Sequence, residues 1–94
     1  MKRTAVVRFL ERSEGGFRTV PVVPGYKPHL KIGELKTSCI VTPVDENVKV
    51  MHLGVEYEVF LELMMEETYG GEITDCMPVT LYEGDRITGV GRYS

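Results

Sequence analysis

Between positions 55 and 66 the chain alternates. Val55, Tyr57, Val59, Leu61, Leu63 and Met65 are apolar, while Glu56, Glu58, Glu62 and Glu66 stand between them, with Phe60 and Met64 breaking the acidic series. A period of two turns one set of side chains to a core and the other to water, which is strand geometry. A helical stripe at i, i+3, i+4 and i+7 would bury Glu58 or Glu62, so the pattern predicts a long strand.

Enrichment in β-branched and aromatic residues between turn signals predicts the rest. Strands are expected over 4–10 and 17–23, paired as a hairpin across Ser13-Glu14-Gly15-Gly16, whose glycines supply the positive φ that hairpin turns demand. Residues 29–33 and 36–42 form the next extended stretch, with a bulge or bend at Gly33. A turn over 43–47 leads into a short extended piece at 48–51, and Gly54 ends the turn before the long strand. Residues 67–75 read as a loop around Gly70-Gly71, and 77–82 and 85–93 as a last pair about Glu83-Gly84. No helix, internal repeat or low-complexity segment is expected. Six or seven short strands without a helix mean a sandwich or a barrel. At 94 residues the expectation is an all-β, closed, six-stranded antiparallel barrel, since closure leaves no edge exposed.

Length allows one domain, residues 1–94, and the 43% apolar content suits an ordinary globular protein. No apolar run approaches the roughly 18–20 residues that cross a bilayer as a helix, so no membrane partner is expected. Lys2 and Arg3 precede a short apolar patch that Arg8 interrupts, and no small-residue cleavage site follows, which is unlike a signal peptide. Cys39 and Cys76 form neither a CxxC pair nor a disulfide-rich pattern. A cytoplasmic protein with reduced thiols is the expectation.

Charge changes the picture more than composition does. Residues 1–40 hold eight Lys or Arg against three Glu, a balance of +5, and residues 41–94 hold three against eleven acids, a balance of −8. Such a split can mark two surfaces with different partners, or simply two solvated sets of strand faces. An acidic chain overall, with pI ≈ 5.3, is unlike a dedicated duplex-binding domain.

Candidate chemistry is thin. His29 and His52 lie apart from one another and from the cysteines, with no ligand-pair spacing for zinc. Asp45-Glu46-Asn47 lacks the spaced oxygens and central glycine of a calcium loop. Gly84-x4-Gly89-x-Gly91 invites a nucleotide-binding reading, but a glycine loop that cradles phosphate opens a helix, and this one lies between strands. The glycines read instead as bends in the last strand of a closing barrel. Neither enzymatic activity nor a metal or cofactor is expected.

Three segments in order carry a resemblance: EGG at Glu14 to Gly16, GYKP at Gly25 to Pro28, and EGDRITGVG at Glu83 to Gly91. Over about residues 4–92 the chain resembles the C-terminal, third domain of elongation factor Tu, here expected as a stand-alone single-domain protein. In that family the segments read close to EGG with a following basic residue, GYRP, and REGGRTVGAG, and Leu53-Gly54 falls at its Pro-Gly before the long strand. The resemblance implies a six-stranded barrel whose relatives pack on a GTPase domain and on another barrel and touch the T-stem side of aminoacyl-tRNA. The chain has no GxxxxGK[ST] loop, so no GTPase activity of its own is expected.

Residue by residue, Glu83 and Gly84 match the family's REGG segment, whereas Tyr82 stands at its arginine and Asp85 at its second glycine. Phe17 stands where a basic residue follows EGG, with Arg18 next, and His29 replaces the glutamine after GYRP. The first function implied is a non-enzymatic protein-binding module linked to translation, engaging a translation factor or another protein. The alternative is binding of tRNA or another structured RNA through the basic first half. Arg18, Lys27, His29, Glu83, Gly84 and Arg86 are the candidate contacts for either partner. The acidic row Glu56, Glu58, Glu62 and Glu66 reads as a solvated strand face or as a dock for a basic surface.

Overall fold

Strands pair here across long stretches of sequence. The computed structural model describes residues 2–32, 34–64, 73, 74 and 76–94. It contains β1 (Lys2–Phe9), β2 (His29–Ile32), β3 (Leu35–Pro43), β4 (Glu56–Leu63), β5 (Pro78–Glu83) and β6 (Arg86–Tyr93). The order around the barrel is β1-β4-β3-β2-β5-β6, closed, and every pairing is antiparallel. The expected all-β closed barrel of six strands is thus the fold observed.

Alternation does what the pattern predicts within Glu56–Leu63, whereas Val55, expected to face the core, precedes the strand and is 46% exposed. Val59, Leu61 and Leu63 of β4 face a core shared with Ala5, Val7 and Phe9 of β1, while Glu56 and Glu58 face water. Each such buried Leu, Val or Phe contributes roughly 1.5–3 kcal/mol relative to exposure, so the strands are held by their inner faces. Positions 65 and 66 of the predicted strand, the bend at Gly33, and most of the predicted 67–75 loop lie outside the described residues.

Three expectations are corrected. Residues 17–23 are not a strand and do not form a hairpin with β1, whose partners are β4 and β6. Pro21 has no N–H for a ladder and Pro24 lacks one too, so the segment keeps one bridge, Val22 to Met51. The 48–51 piece likewise reduces to that bridge. The hairpin turn expected at Ser13 is one turn of 3-10 helix, Arg12–Glu14. Its Glu14 carboxylate accepts from the Glu11 N–H at 3.1 Å and sits 3.0 Å from Arg8 Nε, contacts that close the turn back onto the end of β1.

The seam between the first and last strands explains the glycines of the final segment. Gly91 lies opposite Val7 in the β1–β6 register, and a Cβ there would overlap the Val6 carbonyl oxygen. Gly89, opposite Phe9, would meet the Phe9 ring at 3.1 Å. They allow close backbone approach as the barrel closes. β5 and β6 also slip register between Leu81 and Tyr82, a bulge that composition did not announce.

Candidate functional site

One end of the barrel, where β1 finishes and β5 turns into β6, is covered by the two long connections over 10–28 and 44–55. Val22 and Met51, both fully buried, join across this cover through N–H···O bonds of 2.9 and 2.7 Å. Tyr26 is bridged to Val41 and turns its ring edge-on to Phe9, centroids 5.7 Å apart. The connection is therefore pinned into the core at alternate points and shows its other residues to solvent.

Glu83, at the end of β5, ties the cover to the barrel. Its Oε1 accepts from Arg18 Nη1 at 2.8 Å and from the Tyr26 hydroxyl at 2.5 Å. The Tyr26 hydroxyl also lies 3.2 Å from Thr88 Oγ1, on β6. Burial, with the Glu83 carboxylate second, pushes the Tyr26 hydroxyl up to about 12, so it stays a neutral donor to the carboxylate. Arg18 stacks over the Tyr26 ring at 5.0 Å and donates to the carbonyls of Val20 and Pro21 at 3.3 and 3.4 Å. Its side chain is only 16% exposed, which leaves little of the guanidinium for an outside partner.

The remaining sequence candidates fall around this anchor. Arg86 lies over the Phe17 ring at 5.3 Å. The Gly84 carbonyl accepts from Lys36 Nζ at 3.3 Å, and that ammonium sits 3.6 Å from Asp85 and 4.4 Å from the Tyr82 ring centroid. Gly84 itself holds a φ of 61°, the left-handed conformation that a tight β5–β6 turn requires. His29 is exposed, opposite Tyr82 in the β2–β5 register. Lys27 is exposed. The structure thus brings together Arg18, Glu83, Gly84 and Arg86, and leaves Lys27 and His29 facing water on the neighbouring surface.

Sequence reasoning missed the feature displayed between the anchored residues. Val20 and Val23 are 58% and 60% exposed, with Pro21 and Pro24 exposed beside them and Val50, across the Val22–Met51 bridge, also in the open. The signal was present as two Val-Pro pairs, but propensity took their valines for a strand. The acidic row of β4 is tempered by its neighbour, since Lys2 lies opposite Glu62 and Arg8 opposite Glu56 in the β1–β4 register. Lys2 Nζ also covers the Phe60 ring at 5.5 Å, so Phe60 is not an open apolar contact.

Among the described residues no three His, Cys, Asp or Glu groups are placed to share a metal ion. Cys39 is buried in the core, which pushes its thiol up to about 12, and Cys76 is exposed elsewhere. No helix among the described residues is long and apolar enough to cross a membrane. No family model matches the chain, and no curated protein sequence matches it.

Proposed function

We propose that the chain is a non-enzymatic protein-binding module, a barrel of the kind that forms the third domain of elongation factor Tu, and that its partner belongs to translation. The observation that carries the binding reading is the apolar strip Val20, Pro21, Val23 and Pro24, held in water on a segment that Arg18, Val22 and Tyr26 fix to the barrel. A clustered apolar surface on a fixed backbone is what protein interfaces use. Support for the family likeness comes from convergence. Tyr26 of GYKP hydrogen-bonds both Glu83 and Thr88 of EGDRITGVG, and Arg18, just beyond EGG, completes the cluster. Motifs far apart in sequence thereby share one structural job.

A second reading, RNA binding, is favoured by the outward residues Lys27, His29 and Lys31, next to the Lys36–Tyr82 stack. Phosphate contacts weaken steeply with salt, whereas an apolar interface does not. The test is a tagged pull-down from extract, divided into untreated and RNase-treated halves. A specific protein retained after RNase supports the module. Loss of all specific partners on RNase treatment, with binding abolished by the Lys27→Glu, Lys31→Glu double variant, supports RNA and overturns the protein reading.

A further inference from the structure

Every second residue over 27–31 points the same way. Lys27, His29 and Lys31 are exposed, while Pro28 and Leu30 between them are buried. The run is held to β3 along its length. Tyr26 bridges Val41, the Cys39 N–H donates to the Pro28 carbonyl at 3.0 Å, and His29, Leu30 and Lys31 pair with Ser38, Thr37 and Lys36. The backbone beneath the basic groups is therefore fixed, and four residues of extended chain set Lys27 and Lys31 about 13 Å apart.

The neighbouring strands give this row a centre. On β3 the outward residues Ser38 and Ile40 are half-buried, and Met64, whose N–H donates to the Ser38 carbonyl at 3.0 Å, is 56% exposed. Ile40 faces Glu62 in the β3–β4 register, and Glu62 faces Lys2 on its other side. Ser38, Ile40 and Met64 thus form an uncharged floor, with Lys27 and Lys31 along one side and Lys36 at one end. Lys31 and Lys36 lie directly opposite one another, an arrangement of like charges that costs stability. Lys36 is taken up by the Gly84 carbonyl, Asp85 and the Tyr82 ring. Lys27 and Lys31 have no ion-pair partner among the described residues.

We infer that this outer face of β2 and β3 docks an extended acidic segment of a partner protein. Its carboxylates stand four residues apart over Lys27 and Lys31, with an apolar residue between them over the floor. The inference rests on the protein-binding reading above and names the chemistry its partner carries at a surface separate from the valines of the strip. An apolar centre within a polar rim is how protein interfaces are built, and opposite charge at the rim fixes register and selects the partner. RNA fits this face less well. Arg18 and Arg86, with the forked guanidinium that grips phosphate, are committed to Glu83 and to the Phe17 ring. The Tyr82 ring, on which a base would stack, is already covered by Lys36.

The experiment titrates the ¹⁵N-labelled protein with the synthetic peptide GSESLSESG, whose glutamates flank a central leucine at the required spacing. Saturable shifts are expected at the amides of Lys27, His29, Lys31, Ser38 and Ile40, weakening about threefold or more between roughly 50 and 200 mM salt. Lys27→Glu with Lys31→Glu should lower the affinity by about tenfold or more, and a peptide with lysines in place of its glutamates should not bind. Both protein side chains are exposed, so the variant should keep the melting temperature of the wild type. No saturable shift at millimolar peptide, or shifts that the double variant leaves unchanged, would overturn the inference. Tighter binding of an RNA hairpin at the same residues and salt would overturn it in favour of RNA. The RNase-resistant pull-down separates this failure from that of the wider reading. A protein captured equally by wild type and the lysine variant keeps the binding module and removes this surface, whereas no captured protein removes both.

Discussion

Arg18 and Glu83 stand 65 positions apart in the chain and 2.8 Å apart in space. The same carboxylate oxygen holds the Tyr26 hydroxyl, so one side chain fixes both ends of the segment that carries the apolar strip. Glu83 is therefore a positioning residue for the surface rather than a contact within it.

Its removal should loosen that segment more than it destabilises the barrel. Glu83→Ala strands two donors and should cost about 1–3 kcal/mol, and Glu83→Gln, which still accepts from both, should cost less. The sharper readout is trypsin cleavage after Arg18, followed by mass spectrometry. Cleavage there should accelerate in Glu83→Ala at temperatures well below its melting point. Equal rates in wild type and variant would mean the clamp does not control the segment. A double-mutant cycle with Arg18→Ala should return a coupling of about 1 kcal/mol, since both groups keep some solvent contact.

Alkali should unfold the protein through Tyr26. Its hydroxyl ionises at about 12 when folded against 10.0 unfolded, so between those values the unfolded chain has shed a proton that the folded one keeps. Stability is then unaffected by Tyr26 below pH 10 and falls as pH rises toward 12. Cys39, raised from 9.0 to about 12, acts in the same sense over a slightly wider window. Chemical denaturation at pH 8 and pH 11 should show the loss in wild type and a smaller loss in Tyr26→Phe. Equal losses would assign it elsewhere.

The two thiols should differ sharply in reactivity. Cys76 is exposed and Cys39 is buried among apolar side chains. A disulfide reagent at pH 8 should modify one thiol per chain quickly, and mass spectrometry should place it at Cys76. The second should react only at the rate of opening of the core. Cys39→Ser, which buries a hydroxyl in that core, should cost about 1–3 kcal/mol.

Gly91→Ala tests the seam. Added at that position, a methyl would overlap the Val6 carbonyl on the facing strand, so β1 and β6 must part or shift. A loss of about 3 kcal/mol or more is expected by thermal or urea denaturation, as for other overpacked sites. Gly15→Ala, where a Cβ meets nothing but φ is 92°, should cost only about 1 kcal/mol.

Strand existence was legible in the sequence because burial has a period, and a period can be read without knowing what lies opposite. Glu56 to Leu63 is the clearest case. Pairing was less legible. A turn at Gly15-Gly16 suggested a hairpin between neighbours, yet β1 takes its partners from 56–63 and 86–93, which no local signal encodes. Residues 17–23 misled in another way, since valine and threonine favour extended backbone whether or not a ladder exists, and the missing N–H groups of Pro21 and of Pro24 just beyond work against a ladder there. Of the candidate contacts, Arg18 was singled out for its charge, but its use lies in Glu83, and such a match across the fold is invisible until both strands are placed.

Closure through β1 and β6 also sets when this protein can fold. Ala5 pairs with Tyr93, so the first strand stays half-partnered until the last one has left the ribosome. The barrel cannot close before residues 86–93 are available, and its formation should be slow for its size, as high contact order demands. Until β6 docks, β1 carries an open strand edge that chaperones or neighbouring chains can reach.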